Sequence, residues 1–405
     1  MNILIYAHFA GSPEMGMVYG HYYLAREWVR MGHRVTIVTA SFAHTRKVNP
    51  SVSSFFTFDL IDGIEYVYVR SPAYDPAKNA GRGLNILAFT IGAFFFRPQY
   101  EPDLVITSSH HTLTAFTAHR MAKRHRARFV FEIRDLWPLG LVEIAGVSIR
   151  HPFIRLLQLG EDFAVRHADR VVSVLSHADG YLRSRGMKPQ KFCYVPNGAD
   201  LTSSPSPLPK DVAAKLKPFR HRHRFLVGYI GGINTANNLE PLIRALPRMV
   251  ASGVGLVMLG DGPCQKRLAG LVDGLGMHEH CLWLSAIKKP AVASVLSSVD
   301  VGYMGLSNLP IYRFGVSPTK VNDYLLSGVP IVFASDAPSD LDGAGPLVGR
   351  CPPGDANAIA AKALELCHVG TAALNAGRRQ ALDWLARNRD YRVLAERFIE
   401  GLGGA

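Results

Sequence analysis

The residues best suited to chemistry lie in one short run, Ser317-Pro318-Thr319-Lys320-Val321-Asn322-Asp323-Tyr324. Ser317 is a favourable N-cap and Pro318 suits the first helical position, so the run predicts a helix whose free N–H groups face outward. Such a helix start attracts phosphate, and Lys320 adds a full positive charge there. Asp323 follows one turn later, where its carboxylate can accept hydrogen bonds from ribose hydroxyls. The spacing predicts a nucleotide-diphosphate site, and an ordinary capped helix is equally compatible with it.

Glycine and histidine mark two loops in the first half of the chain. Residues 8–17 follow a predicted strand and include Gly11 and Gly16, which allow a phosphate or a sugar to approach the backbone closely. A second loop, Ser108-Ser109-His110-His111-Thr112, follows another predicted strand. His110 or His111 could donate to a sugar hydroxyl or a phosphate and shuttle protons near neutral pH. A helix cap with solvated imidazoles is the alternative, and the pattern does not choose between the two histidines.

A charged run, Glu132-Ile133-Arg134-Asp135-Leu136-Trp137-Pro138, follows the predicted strand Phe129–Phe131. Charged groups that bind hydroxyls, next to an aromatic ring that covers a sugar face, are typical of carbohydrate recognition. The structural alternative is an Arg134–Asp135 ion pair that only fixes the loop.

A glycine-bearing turn, Gly231-Gly232-Ile233-Asn234-Thr235-Ala236-Asn237-Asn238, separates a predicted strand from a predicted helix in the second half. Backbone amides in such a turn can cradle a diphosphate. The turn is therefore a second candidate for phosphate binding.

Short apolar strands alternate with helical patterns along the chain, which predicts an α/β fold with parallel doubly wound sheets. Ligands bind beyond the carboxyl ends of the strands in such sheets, where the loops above lie. The alternation stops at residues 201–224, which begin with a Ser/Pro-rich segment, and then restarts. We predict an N-terminal domain at 1–200, a linker at 201–224, a C-terminal domain at 225–382 and a final helix at 383–405.

The amino-acid composition restricts the class of protein and the kinds of partner that it can have. Of 405 residues, 48% are hydrophobic and 19% are charged, which is typical of a globular chain. The formal net charge of +13 predicts anionic partners, and no recognition motif for nucleic acid accompanies it. Five cysteines without metal-ligand spacing fit a reducing cytoplasm. We expect neither a secretory signal nor a membrane-spanning segment.

These motifs together resemble those of retaining family 4 glycosyltransferases. The Ser-Pro-x-Lys-x-x-Asp-Tyr run before Gly328-Val329-Pro330 is similar to the nucleotide-sugar signature of that family. The run 30–36, Arg-Met-Gly-His-Arg-Val-Thr, resembles the end of its first helix, and Glu132–Pro138 resembles a motif of the branch that builds bacterial surface polysaccharides. The resemblance implies a GT-B fold, in which two Rossmann-like doubly wound domains face each other across a cleft. It also implies that the final helix returns to the N-terminal domain.

The resemblance further implies transfer of a sugar, such as an N-acetylated hexosamine or a deoxyhexosamine, from a nucleoside-diphosphate donor to a polyprenyl-diphosphate-linked saccharide. A UDP-linked donor is favoured, and no metal or other cofactor is implied. The expected catalytic residues are His110, His111, Arg134 and Asp135, and the expected acceptor contacts are Glu132 and Trp137. The expected donor contacts are Gly16, Gly231, Gly232, Asn237, Ser285, Arg313, Ser317, Pro318, Thr319, Lys320 and Asp323.

The chain departs from the common family pattern in the donor site. Many relatives carry Arg where this chain has Gly232, Lys where it has Asn237 and Glu where it has Gly315. We expect Lys320, Arg313 and the helix dipole to replace the lost cations. A UDP-sugar epimerase of the same fold remains an alternative. A catalytically silent protein that binds a nucleotide sugar or a glycan is a second one.

Two segments predict contact with a membrane surface. The apolar run Leu84–Phe96 contains four phenylalanines between Arg82 and Arg97. The predicted helix Thr112–His125 and the residues just after it are basic, with Arg120, Lys123, Arg124, Arg126 and Arg128. A buried helix and a solvated basic face are the alternatives. We expect a cytoplasmic protein that is peripheral on the inner face of the cytoplasmic membrane.

Overall fold

The computed structural model describes residues 1–16, 20–75, 79–109 and 111–402. The chain divides into two compact units. The first unit consists of Met1–Asn197, Arg313–Ser317 and Tyr391–Ala405. The second consists of Gly198–Tyr312 and Pro318–Asp390.

The strands are β1 (Asn2–Tyr6), β2 (Arg34–Ala40), β3 (Phe56–Ile61), β4 (Ile64–Val69), β5 (Leu104–Ser108), β6 (Arg128–Ile133), β7 (Arg170–Ser173), β8 (Phe192–Tyr194), β9 (Phe225–Ile230), β10 (Val254–Leu259), β11 (Cys281–Leu284), β12 (Val301–Gly305), β13 (Ile331–Ala334) and β14 (Val348–Cys351). The α-helices are α1 (Gly20–Arg30), α2 (Asn79–Phe95), α3 (Thr114–His125), α4 (Leu139–Glu143), α5 (Pro152–His167), α6 (Asp179–Ser184), α7 (Lys210–Arg222), α8 (Glu240–Val250), α9 (Gln265–Gly274), α10 (Lys289–Leu296), α11 (Thr319–Leu326), α12 (Ala356–Cys367), α13 (Thr371–Asn388) and α14 (Tyr391–Glu400).

The first unit is built on a sheet with the strand order β3-β4-β2-β1-β5-β6-β7-β8. Its strands pair in parallel except β3, which forms an antiparallel hairpin with β4. The turn of that hairpin places Asp62 at φ 50° and Gly63 at φ 77°, and positive φ at both central residues is typical of an Asp-Gly hairpin turn. The order reverses between β1 and β5, so the loops after these two strands flank the crevice where such sheets bind ligands.

The second unit is built on a parallel sheet with the order β11-β10-β9-β12-β13-β14. Counted from β9 as the first strand, this is the 3-2-1-4-5-6 order of the dinucleotide-binding fold. The order reverses between β9 and β12. The prediction of an α/β protein with two Rossmann-like doubly wound domains is confirmed.

The central strands of each sheet are buried on both faces, and these strands are accordingly almost continuous apolar runs. Every residue of β10 is buried, and α8 covers it with Leu242, Leu246 and Met249. In the first unit α14 packs on α1, where the Trp28 indole N–H donates to the Ala395 carbonyl oxygen at 3.1 Å. The residues of α14 thus complete the core of the first unit.

Two segments differ from the predicted boundaries. The segment predicted as a linker is irregular only to residue 209, because residues 210–222 form α7. Val212, Leu216 and Phe219 recur at helical spacing in α7 and are buried in the second unit. The segment predicted as one final helix is divided between the end of α13, in the second unit, and α14, in the first.

Candidate active site

Two loops of the second unit, the turn after β9 and the loop after β10, each begin with a glycine at a positive φ. Gly231 has φ 136°, and its N–H donates to the Leu259 carbonyl oxygen at 2.9 Å. Gly260, in the loop after β10, has φ 143°, and a Cβ added to it would lie 2.0 Å from the Gly231 carbonyl oxygen. The loop after β10 can therefore pack this closely on the turn after β9 only because Gly260 has no side chain.

Lys320 reaches from the first turn of α11 to this glycine turn. Its ammonium donates to the Tyr229 hydroxyl oxygen at 2.9 Å and to Asn237 Oδ1 at 2.8 Å. It also lies 4.5 Å from the centroid of the Tyr229 ring. Burial lowers the pKa of Lys320 to about 7, against a smaller opposing effect of Asp323. The cation is thus held between two neutral oxygen acceptors at the start of a helix.

A hydrogen-bond network fixes both acceptors. The Tyr229 hydroxyl donates to the Gly232 carbonyl oxygen at 2.6 Å, which leaves an oxygen lone pair for Lys320. The Asn237 amide donates to the same carbonyl oxygen and to Asn234 Oδ1, at 2.8 Å each. In the described structure two of the three ammonium protons of Lys320 are used, so the third can bind a ligand.

Asp323 lies one turn further along α11, and its carboxylate forms an ion pair with the Lys289 ammonium at the start of α10. Burial raises the pKa of Asp323, and the Lys289 ammonium acts in the opposite direction. A ribose that bound this carboxylate would share it with Lys289.

The start of α11 differs from the prediction. The first helical residue is Thr319 and Pro318 occupies the N-cap position, so Ser317 does not cap the helix. The Ser317 hydroxyl oxygen instead accepts the Asn197 backbone N–H at 2.8 Å, and the Ser317 carbonyl oxygen accepts the Asn197 side-chain amide at 2.6 Å. The expected cap is absent because Ser317 belongs to the first unit, where Asn197 uses its oxygen atoms.

Three other candidate donor residues are divided between the two units. Ser285 is exposed in the loop after β11, in the second unit. Arg313 belongs to the first unit and forms a bidentate ion pair with Glu143, with both N–O distances 2.8 Å. Gly16 also belongs to the first unit, at φ 72°, and a Cβ there would lie 2.9 Å from the Lys47 side chain. The structure therefore brings Gly231, Gly232, Asn237 and Lys320 together in the second unit, and it pairs Arg313 with Glu143 in the first.

Glu132 is the centre of a buried ionic cluster in the first unit. Its carboxylate accepts His21 Nε2 at 2.5 Å and Arg134 Nη1 at 3.2 Å. Burial favours the neutral acid, but the His21 imidazole and the Arg134 guanidinium together outweigh it and hold the pKa of Glu132 below its ordinary range. Arg134 also donates to Asn197 Oδ1 at 2.5 Å. Glu132 is thus committed to internal partners, and Arg134 pairs with it and not with Asp135.

Asp135 and Trp137 lie on the exposed side of the same loop. Asp135 is exposed as a residue, while desolvation of its carboxyl group raises its pKa to about 6 against the smaller opposing effect of the Arg134 guanidinium. Its carbonyl oxygen accepts the Ser109 hydroxyl at 2.7 Å. The half-buried Trp137 ring lies 5.5 Å from the Arg82 guanidinium. Both side chains remain candidates for contact with a substrate.

His111 is buried in a chain of hydrogen bonds, and His110 lies outside the described residues. The Asn85 amide donates to the Pro72 carbonyl oxygen at 2.8 Å, so its Oδ1 faces His8 Nε2 at 2.7 Å and requires a proton on that nitrogen. With both imidazoles neutral, His8 Nδ1 then accepts from His111 Nε2 at 2.9 Å. Burial, assisted by Arg82, lowers the pKa of His111 to about 3. His111 is consequently a neutral group whose Nδ1 is an acceptor, and it does not shuttle protons near pH 7.

No group of three or more His, Cys, Asp or Glu side chains within the described ranges is arranged to hold a metal ion. The chain has one Asp-x-Asp run, Asp340-Leu341-Asp342. Its two carboxylates form ion pairs with Arg389 and Arg350 respectively.

Sequence reasoning missed the groups that hold the candidates in place. Tyr229 lies inside a buried strand, where its hydroxyl has no motif to mark it, and Lys289 lies 34 residues before its partner Asp323. His8 and Asn85 are separated by 77 residues. The one signal near Tyr229 was the glycine pair Gly231-Gly232 that follows its strand, because a strand followed by Gly-Gly and a polar turn predicts an anion-binding loop.

The comparisons with known families agree with the two units. Residues 16–198 match the Glycosyl transferase 4-like domain, and residues 224–368 match the Glycosyl transferases group 1 model. The two matches together cover most of the chain. The protein therefore belongs to the GT4-type glycosyltransferases, and it is an enzyme. No protein of curated function matches the sequence.

Solved structures show the same fold at low sequence identity. HepE of Anabaena, solved in complex with UDP and glucose, is 15% identical with a TM-score of 0.67, and the alignment covers 100% of this chain and 99% of that one. Sucrose-phosphate synthase of Thermosynechococcus elongatus is 16% identical with a TM-score of 0.71, over 98% and 97% of the chains. The trehalose-6-phosphate structure from E. coli, bound with UDP-2-fluoro glucose, is 10% identical with a TM-score of 0.74, over 100% and 99%. These structures are GT-B glycosyltransferases, which confirms the fold class.

Proposed function

We propose that this glycosyltransferase is retaining, uses a UDP-linked sugar and binds the donor diphosphate at the glycine turn of the second unit. The observation that carries the proposal is the Lys320 ammonium, which two neutral oxygens hold beside Gly231 at the start of α11. Similar structures such as HepE were solved with UDP, which supports the choice of nucleotide.

Lys320 can stabilise the leaving group as the glycosidic bond breaks. Negative charge grows on the departing diphosphate, and a fixed ammonium with a free proton is aimed at where that charge develops. The N–H groups at the start of α11 add to this stabilisation. The site thus compensates for the cations that Gly232 and Asn237 replace, without Arg313.

Residues of the first unit supply contacts to the sugars in this proposal. Asp135 and Trp137 lie on the exposed side of their loop and are available to the acceptor. Glu132 and Arg134 hold the loop by their internal ion pair, so their role is to position it. Neutral His111 is buried and donates through Nε2 to His8 Nδ1, so its role is to hold His8 in place.

We extend the proposal to a polyprenyl-diphosphate-linked saccharide as acceptor, in the synthesis of a bacterial surface polysaccharide at the inner face of the cytoplasmic membrane. An N-acetylated hexosamine or deoxyhexosamine is the proposed sugar, and donor binding is proposed to need no metal. The net charge of +13 favours an anionic lipid carrier. Every helix in the described part of the chain is too short or too polar to span a bilayer.

A thermal-shift panel of UDP, GDP, ADP and dTDP, each with and without magnesium, tests the proposal. Binding to the native state raises the melting temperature, so UDP alone should stabilise the protein without metal. Lys320→Met should weaken UDP binding about 10- to 100-fold, which corresponds to one charge-assisted hydrogen bond of about 1.5–3 kcal/mol to phosphate. The matched control is Lys217→Met, because Lys217 is an exposed lysine of α7 in the same unit.

Two results would overturn this assignment: no nucleotide raises the melting temperature, or Lys320→Met binds UDP as tightly as the wild type. Product analysis with a UDP-sugar then separates transfer from epimerisation, because an epimerase converts the donor sugar without any acceptor.

A further inference from the structure

The outer face of α2 carries an exposed apolar stripe. At about 100° per residue, its members fall within roughly 100° of the helix circumference. The stripe consists of Leu84, Leu87, Ile91, Phe94 and Phe95, each at least 41% exposed. On the opposite side of α2, Ile86, Phe89 and Ala93 are buried. The helix is therefore apolar on both sides, although only one side packs on the first unit.

The stripe continues onto two neighbouring helices. α2 packs beside α3, and α3 packs beside α5. The Arg120 guanidinium of α3 lies 3.8 Å from the Phe94 ring centroid, and one turn earlier the Phe116 ring lies 4.6 Å from the Phe163 ring of α5. Leu159, one turn before Phe163, is 63% exposed. We call the α2 stripe together with Phe116 and Leu159 the three-helix face.

Basic residues border this face at the carboxyl end of α2. Arg97 donates to the carbonyl oxygens of Phe94 and Phe96 at 3.2 and 3.1 Å, and Arg120 donates to Phe94 as well. Burial, with Arg97 and Arg124 nearby, lowers the pKa of Arg120. Neither α2 nor α3 contains Asp or Glu. The face thus combines exposed apolar side chains with an edge of positive charge.

We propose that the three-helix face binds the surface of a lipid bilayer that contains anionic head groups. Apolar side chains that enter the acyl boundary beside basic residues at the head groups are the features of an interfacial helix. A second copy of the chain fits less well, because a two-fold contact would place the same positive edges on both partners. The inference uses no donor-site residue and goes beyond the proposed transfer reaction.

Flotation of the full chain with vesicles tests the inference. We expect the protein to float with vesicles of phosphatidylethanolamine and phosphatidylglycerol and to stay behind with pure phosphatidylcholine. Leu87→Glu should lower the partition coefficient about tenfold or more, because it removes an apolar side chain and adds a like charge to the lipid. Leu382→Glu is the matched control, since Leu382 lies on α13 of the second unit at 42% exposure against 43% for Leu87.

The charged edge is tested separately. Lys123 and Arg124 are exposed in the last turn of α3, one turn after Arg120. Lys123→Glu with Arg124→Glu should lower binding to the anionic vesicles about tenfold. Lys215→Glu with Lys217→Glu, on α7, should change it less than about twofold. A melting temperature close to that of the wild type shows that each variant is folded.

Three outcomes would overturn the inference: no flotation with anionic vesicles, equal effects of Leu87→Glu and Leu382→Glu, or a wild-type dimer that Leu87→Glu converts to a monomer. The thermal shift with UDP is measured on the same samples. A protein that binds UDP but not vesicles refutes only the membrane face, and one that binds vesicles but not UDP refutes only the donor site.

Discussion

In the first unit, the buried Glu132 carboxylate lies between His21 and Arg134, whereas in the second unit the Lys320 ammonium lies between Tyr229 and Asn237, which are neutral. His21 and Arg134 together hold the pKa of Glu132 low, so that group remains charged. The pKa of Lys320 is lowered to about 7 by burial, which its neutral acceptors do not compensate. A buried charge with its counter-charge supports the fold, and a buried charge with neutral neighbours is available to an anionic ligand.

The largest effect should come from breaking the charge cluster of the first unit. Glu132→Gln leaves Arg134 buried without its carboxylate and should lower the free energy of unfolding by about 3–5 kcal/mol. Urea denaturation at pH 7 measures this change. Because the folded-state pKa is depressed, the stabilisation is present above about pH 4.5 and is lost as the pH falls below it. The control Glu396→Gln, at an exposed position of α14, should change stability by less than about 0.5 kcal/mol.

The next largest loss of stability should come from the loop after β10, which packs against the glycine turn beside Lys320. Gly260→Ala forces its Cβ against the Gly231 carbonyl oxygen at a positive φ, so we expect a loss of about 2 kcal/mol in unfolding free energy and weaker UDP binding. Gly270→Ala is the control, because a Cβ at Gly270 of α9 has open space, and it should raise stability by about 0.5–1 kcal/mol. Equal effects of the two substitutions on stability would contradict the close approach of the two loops.

Lys320→Met should behave unlike Glu132→Gln. It removes a half-buried cation that has no carboxylate hydrogen-bonded to it, so the free energy of unfolding at pH 7 should stay within about 1 kcal/mol of the wild type while UDP binding weakens about 10- to 100-fold. Urea denaturation and the nucleotide thermal shift, measured on one preparation, compare the two effects. A loss of 3 kcal/mol or more would mean that Lys320 supports the fold in the same way as Glu132.

The smallest expected effect is the uptake of a proton when UDP binds. A bound diphosphate should raise the pKa of Lys320 from about 7, so UDP binding at pH 8 should take up as much as about one proton and weaken as the pH rises toward 9. Calorimetry in two buffers of different ionisation enthalpy measures this uptake. Identical heats in both buffers would contradict it, and Lys320→Met should abolish the uptake in any case.

Local patterns accounted for most of the elements. The predicted strand Phe129–Phe131 lies within β6, Arg128–Ile133, and the alternation of strands and helices restarts after residue 224 with β9, as predicted. Such features depend on neighbours in the chain, which a sequence displays directly. Ser317 failed as a helix cap because Asn197, 120 residues earlier, uses its hydroxyl oxygen.

The sequence by itself determined the alternation of strands and helices, the glycines at the strand ends and the motifs of a GT4-type glycosyltransferase. Only the tertiary structure decided which charges are neutralised. Arg134 and Arg313 both carry a guanidinium group that could bind an anionic ligand, yet the fold pairs them with Glu132 and Glu143. Lys320 meets Tyr229 and Asn237 instead. The physical reason is that the state of a buried charge depends on groups within a few ångströms, and in both units those groups come from distant parts of the chain.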